Sequence, residues 1–354
     1  LKPMVLILLR RKKHLMKSFK SNLSLIKVLF FWCFLISITY CISGCKKPLY
    51  KKIVNGSTMG TTYSVTYCSK SQNVERSSID SLLNIINQNF STYISNSAIS
   101  KANEAVDTFE IDVSFCKVLG TALRISEETN GAFDCTVLPL VNAYGFGIKE
   151  RQSLSTSELQ KVQDKVNYKT IKLSCANNKC FITKANSEAQ IDLSAIAKGY
   201  AVDVISAYLD STGIHNYLVE IGGELRFKGT NEIGQHWRVG IANPDTTVSN
   251  QGPFIVLSGL EMSLATSGNY RNYYWEGDKL FTHSINPKTG ESANNSLLSV
   301  TVNAPSCMEA DAIATACMVM GKDRSIAYID GLESINAVLI YQQGDSVKTK
   351  RLGI

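Results

Sequence analysis

The period of apolar and polar positions changes several times along this chain, and each change marks an element. Thr61-Thr-Tyr-Ser-Val-Thr-Tyr67 alternates with period two and predicts a strand that opens the fold. Residues 79–90 and 115–130 carry apolar side chains at helical spacing, and Thr129-Asn-Gly131 is a helix stop. The stretch 168–191 reads as a hairpin, strand-like on both sides of Asn177-Asn178. A helix over about 195–209 stops near Gly213, and strands follow at 217–221, 225–228 and 236–241. A further strand at 298–302 leads into a helix opened by Ser306 and Glu309, three apart as in a capping box. Helices and hairpins without a regular βαβ rhythm predict an α+β fold with largely antiparallel sheets, not a Rossmann sheet. No low-complexity linker divides it, so one large domain, single or two-lobed, is expected.

The first stretch has a different character. Eight basic residues and no acidic one precede Cys45, around the apolar run Val28-Leu-Phe-Phe-Trp-Cys-Phe-Leu-Ile36, which is a secretory signal pattern. Ile42-Ser-Gly-Cys45 resembles a bacterial lipobox, which would make Cys45 the lipidated first residue after cleavage. The alternative is an uncleaved signal anchor, but the run is shorter than the ~20 residues of a membrane span. Met16, with Lys17 and Lys20 after it, opens a conventional signal, so 1–15 reads as an upstream extension. The division expected is a signal peptide over 1–44, a basic tether over 45–55 and a folded domain over 56–354, lipid-anchored on the periplasmic side of a bacterial membrane.

Charge changes the picture little once the leader is set aside. The formal net charge of +7 becomes −1 after Cys45, with 29 basic against 30 acidic residues, and no basic patch interleaved with aromatics suggests nucleic acid. Seven of the ten cysteines lie beyond Cys45, an odd number without regular spacing, which argues against a full disulfide framework. Cys175 and Cys180 flank Ala-Asn-Asn-Lys and either pair across the strands or remain two buried thiols. No spacing suggests zinc.

Candidate chemistry lies in five segments. Pro305-Ser-Cys-Met-Glu-Ala-Asp-Ala-Ile-Ala-Thr-Ala316 sets Asp311 and Thr315 four apart on one helical face, two oxygens suited to a hard cation such as Mg²⁺, among alanines that admit close approach. A solvated edge or a local hydrogen bond is the plainer account of that pair. Ile191-Asp-Leu-Ser-Ala-Ile-Ala-Lys-Gly-Tyr200 runs from strand to helix start, a ready anion site with Lys198 one turn in; Asp192 or Ser194 as a simple cap is the competing account. Ala265-Thr-Ser-Gly-Asn-Tyr-Arg-Asn-Tyr-Tyr274 precedes Thr282-His-Ser-Ile-Asn-Pro-Lys-Thr-Gly290, where His283 is a base or donor at a strand end, or a structural histidine. Asn130-Gly-Ala-Phe-Asp-Cys-Thr-Val-Leu-Pro-Leu140 leads to Tyr144, and Phe133 and Tyr144 are candidates to stack on a flat ring or to join the core.

In order and spacing these segments resemble the ApbE-type flavin transferases, the FAD:protein FMN transferases. The resemblance runs from Thr58-Met-Gly-Thr61 and Phe90-Ser-Thr-Tyr93, through Gly131-Ala-Phe-Asp134, Asp192–Asp203 and Glu220-Ile-Gly-Gly223, to Thr266–Arg271, His283–Gly290 and Ala310–Thr315. It implies an ApbE-like, T-fold-related domain whose FAD site is lined by Met59, Tyr93, Ala132, Phe133, Asp134, Asp192, Lys198 and Ile285. It further implies Mg²⁺ on the Ala195 carbonyl, Asp311 and Thr315, His283 as general base, and Arg271 on a phosphate. The activity implied is Mg²⁺-dependent transfer of FMN from FAD to a Thr or Ser hydroxyl of an acceptor flavoprotein, with AMP leaving. The implied acceptors are extracytoplasmic subunits of redox pumps, of the sodium-pumping NADH:quinone reductase or Rnf type. Hydrolysis of FAD to FMN and AMP, and a flavin-binding lipoprotein without turnover, are the two alternatives. The family often has Asp where this chain has Asn286, and Pro where it has Cys135; neither change removes an implied ligand.

Overall fold

The computed structural model describes residues 49–176, 179–244, 252–269, 273–277 and 279–353; the leader, Cys45 and Arg271 lie outside them. Eight strands form the main sheet, every neighbouring pair antiparallel, in the order β1-β2-β6-β7-β10-β13-β14-β15. These are β1 Tyr50–Thr58, β2 Thr61–Ser69, β6 Tyr217–Ile221, β7 Glu224–Lys228, β10 Glu261–Gly268, β13 Leu297–Asn303, β14 Asn336–Gln343 and β15 Ser346–Leu352. A smaller sheet has the order β3-β5-β4, from Thr108–Ile111, Lys179–Lys184 and Ile171–Ala176. Two hairpins complete the strands: β8 Trp237–Ile241 with β9 Ile255–Gly259, and β11 Tyr273–Glu276 with β12 Lys279–Thr282. The architecture is α+β, as the pattern predicts.

Residues 45–55 were expected to be a tether, yet β1 begins at Tyr50 and pairs with β2 along its whole length, from Tyr50↔Ser69 to Thr58↔Thr61. It is the outer strand of the sheet, and its Lys51 and Lys52 face solvent or reach Glu232 and Asn73. Edge strands tolerate such charges, which hide the apolar alternation that marks an inner strand.

Eight helices are described: α1 Arg76–Phe90, α2 Ala98–Glu104, α3 Val113–Glu128, α4 Leu138–Ala143, α5 Thr156–Gln163, α6 Ser194–Ser211, α7 Cys307–Met320 and α8 Lys322–Asp330. The two faces of the main sheet bury different clusters, as period two requires. On β14, Ala337 and Leu339 join the large core with α1, α6 and α7, whereas Val338 and Ile340 join a smaller cluster with Trp237, Ile241 and Leu257 of the β8–β9 hairpin. Helices α6 and α7 are apolar nearly all round, the composition of a helix enclosed on every side.

Their crossing depends on Gly199. A Cβ at that position would fall on the carbonyl of Cys307, so the two backbones touch there. Glycine inside a helix costs roughly 1 kcal/mol against alanine, and the close approach is its compensation. The same contact is tied by Asp203, whose carboxylate accepts the N–H groups of Cys307 (3.0 Å) and Met308 (2.9 Å), so α6 supplies the cap of α7. Ser306 adds its hydroxyl to the N–H of Glu309. Gly199→Ala should therefore lower stability by about 1–3 kcal/mol despite alanine's higher helix propensity. Urea unfolding checks this; a variant as stable as the wild type would remove the close crossing from the account.

Candidate active site

Asp311, in the second turn of α7, is buried against α6, and its Oδ2 accepts the backbone N–H of Gly199 at 3.1 Å. In an α-helix the N–H of residue 199 lies over the carbonyl of residue 195, so Asp311 reaches the turn that carries the Ala195 oxygen. Thr315 stands one turn further along α7, with its hydroxyl 3.4 Å from that of Ser267 on β10. Lys198 points into the same space, its Nζ 3.3 Å from Glu224 and 3.8 Å from Asp311. The residues implied as metal ligands are thus gathered with the lysine at one site.

Two buried carboxylates meet one ammonium there, and Glu224 Oε2 has no hydrogen-bond partner among the described residues. Burial pushes the Glu224 carboxyl up to about 7; Lys198 pulls it down and Asp311 pushes it up again. Burial likewise raises Asp311, against the pull of Lys198 and of the Gly199 N–H. Burial alone would lower Lys198, but Asp311 and Glu224 outweigh it and hold the ammonium above its ordinary range. An all-oxygen donor set with one negative charge in excess fits a hard divalent cation.

A second group forms around the loop after α3. Asn130 and Gly131 both have positive φ, 51° and 73°, and turn the chain into Ala132-Phe-Asp134. Asp134 is buried; it accepts from the Thr136 N–H and hydroxyl and from the Tyr168 N–H, and burial raises its carboxyl against those bonds. The Asp192 N–H donates to the Cys135 carbonyl at 2.8 Å, joining this loop to the start of α6. Asp192 stands one residue before the Leu193 N-cap and accepts the Ser194 N–H on its side chain, and burial raises its carboxyl too. Ala132 and Phe133 are buried, and the Phe133 ring belongs to the core, so it is not available to stack on a ligand. An open cleft of about 490 Å³ is lined by Gly131, Asp134 and Tyr168 together with Pro287 and Lys288.

Tyr93 differs from Phe133. It is 69% exposed, with its hydroxyl 3.5 Å from the Phe146 carbonyl, and offers an open aromatic face. The Phe146 ring lies edge-on to His283 at 6.5 Å between centroids. His283 follows β12 and is half-buried. Ile285 is buried and bridges to Ser292, and Asn286 acts as a turn residue, accepting the Lys288 N–H on its side chain. Tyr144 is half-buried and donates to the Gly290 carbonyl. Met59 occupies the two-residue turn between β1 and β2, where Met59 and Gly60 both have positive φ (51° and 73°), the signature of a type I′ turn. That turn adjoins the Gly222-Gly223 turn: a Cβ on Gly222 would meet Thr61 and stand 3.5 Å from the Lys198 stem.

Strand β10 connects the lysine–carboxylate cluster to the histidine loop. Ser267 meets Thr315, and two residues on, Asn269 accepts from the Ser284 hydroxyl at 2.7 Å, beside His283. Ser267, Asn269 and Glu224 were assigned no role from sequence. Glu224 opens β7 immediately after Gly222-Gly223, and the glycine pair before an acidic residue was the available signal. The Cys175–Cys180 pairing left open above is a disulfide.

The α+β scaffold agrees with the comparisons to known proteins. The model described as the ApbE family matches residues 59–339, and the chain belongs to that family. It is 36% identical over 323 residues to "FAD:protein FMN transferase" of Vibrio cholerae, covering 90% of this chain and 95% of that protein. A protein of the same description from Haemophilus influenzae is also 36% identical, over 301 residues, with 82% and 87% covered. Among solved structures, "Flavin Transferase ApbE from Vibrio cholerae" superposes with a TM-score of 0.75 at 35% identity, covering 86% of this chain and 98% of that one. The apo flavinyl transferase ApbE of Pseudomonas stutzeri gives 0.75 at 28% identity, with 86% and 96% covered.

The Glu224 carboxyl carries a pH dependence whose sign is fixed. Its folded pKa of about 7 lies above the usual 4.5, so between those values the folded state holds a proton that the unfolded state has lost. Stability from this group is full below 4.5 and is lost as pH rises through 7. The melting temperature of Glu224→Gln should therefore gain on the wild type between pH 5 and pH 8 in metal-free buffer. A difference that is flat with pH would show that Glu224 does not titrate in this range.

Proposed function

We propose that this chain is a FAD:protein FMN transferase, moving the FMN half of FAD onto a Thr or Ser hydroxyl of an acceptor flavoprotein and releasing AMP. The observation that carries the reading is the buried Asp311–Lys198–Glu224 cluster beside Thr315, a site whose oxygen donors and charge suit a cation and a pyrophosphate. Support comes from relatives of that description along nearly their whole length.

In this reading the Ala195 carbonyl, Asp311 and Thr315 hold Mg²⁺. Held by these residues, a divalent ion would supply neutralisation of the pyrophosphate and leaving-group charge. Lys198, kept protonated by its carboxylates, is the protein's own cation toward the phosphates. Asp134, Asp192, Met59 and Ile285 fix the nucleotide's position, and exposed Tyr93 covers the flavin. The acceptor hydroxyl attacks the phosphorus on the flavin side; its oxygen–phosphorus bond forms as the bond to the AMP oxygen breaks. His283 takes the hydroxyl proton on an imidazole nitrogen. The acceptors belonging to this reading are extracytoplasmic subunits of redox pumps, such as a sodium-pumping NADH:quinone reductase or an Rnf complex, met by a lipoprotein anchored through Cys45 and facing the periplasm.

The test is incubation with FAD, Mg²⁺ and a candidate acceptor, read as flavin fluorescence on the denatured acceptor band. Fluorescent acceptor with stoichiometric AMP is expected; FMN and AMP without labelled acceptor would favour hydrolysis, and no AMP would sink both. Asp311→Ala should lose about 10²-fold or more of the rate. It leaves a balanced Lys198–Glu224 pair, so its melting temperature should equal or exceed that of the metal-free wild type. Unchanged activity would remove Asp311 from the metal site.

A further inference from the structure

Away from this site, three cysteines meet where the first turn of α3 packs beside the small sheet. Cys175 on β4 and Cys180 on β5 are directly opposed and joined as a disulfide. The Sγ of Cys116 on α3, a free thiol, lies 3.0 Å from the Sγ of Cys175, and all three sulfurs fall within 4.8 Å of one another. Their exposure is graded: Cys175 is open to solvent, Cys116 half-buried and Cys180 buried.

The geometry points to a thiol–disulfide exchange site in which Cys175 is shared between two partners. Cys116 gives its proton to solvent, and its thiolate attacks Cys175. The Cys116–Cys175 bond forms, the Cys175–Cys180 bond breaks, and Cys180 leaves as a thiolate that takes up a proton. One disulfide and one thiol stand on each side, so no oxidant or reductant is consumed. Three sulfurs cannot all pair, and the spare thiol is always the neighbour of a disulfide. The exposed Cys175 also leaves the site open to an external low-molecular-weight thiol.

The two pairings differ in what they join. Cys175–Cys180 staples a hairpin across five positions, whereas Cys116–Cys175 spans 59 and ties α3 to β4. The longer closure constrains the unfolded chain more. Helix α3 is also followed, after its Thr129 C-cap, by Asn130-Gly131, the turn into Asp134, so the exchanged form anchors the helix that leads into that loop.

The sequence makes the pairing directly readable, because trypsin places the three cysteines on separate peptides, 102–117, 173–179 and 180–184. The folded protein is equilibrated in a glutathione redox buffer, quenched with acid, alkylated and digested without reduction, and the linked peptides are identified by mass. Wild type should give both 173–179 linked to 180–184 and 173–179 linked to 102–117, with partial loss of alkylation at Cys116. Cys180→Ser should give 102–117 linked to 173–179, with loss of alkylation at both Cys116 and Cys175. Cys116→Ser should retain the hairpin disulfide alone. Full alkylation of Cys116 in the wild type, or alkylation of both Cys116 and Cys175 in Cys180→Ser, overturns the proposal.

Discussion

The contact between α6 and α7 is the constraint on which the rest of the structure depends. Two backbones touching at Gly199 allow Asp311 to reach across to the Gly199 N–H, and Asp203 fixes the register by capping α7 from α6. A wider crossing would separate Asp311 from Lys198 and from the turn bearing the Ala195 carbonyl. The alanines of α7 belong to the same requirement, since Ala310, Ala312, Ala314 and Ala316 are all buried.

Charge then fixes α6 on the sheet. Lys198, Asp203 and Asp210 along the helix face Glu224, Arg226 and Lys228 along β7, at 3.3, 3.3 and 3.1 Å. Alternation on the strand and helical spacings of five and seven residues bring three oppositely signed pairs into line. The Glu224 and Asp203 carboxylates are the enclosed members; such pairs add little net stability, yet breaking one strands a charge, so their effect is to penalise a helix shifted along the strand, while the more exposed Asp210–Lys228 pair adds less. Two of the pairs are closed structural contacts. The first, Lys198 with Glu224, is shared with Asp311 and is the one that belongs to the site.

Sequence alone made the Asp311–Thr315 pair legible because the two are local: four residues on one helix define a face without knowledge of the fold. The strand-to-helix entry at Asp192 was legible for the same reason. Glu224 was not, since Glu-Leu-Arg-Phe-Lys228 looks like a strand with one solvated face, and only the docking of α6 turns that face inward. Strand β1 was hidden by its lysines, and Phe133 could not be assigned between ligand and core until its neighbours were known. The short helices α2, α4, α5 and α8 have too few turns to show a period.

The end of β10 has a consequence for how the site can vary. Ser267 is the penultimate residue of β10 and Asn269 is the first residue past its end, so the two are separated only by Gly268. One touches the helix of Asp311, and the other holds the loop of His283. The strand is thus a ruler between the two halves of the site, and its graduation is a pair of residues. A single residue inserted within β10 would lengthen it and also turn Ser267 to the opposite face of the sheet. Length at this point is quantised, and change can enter only in the side chains.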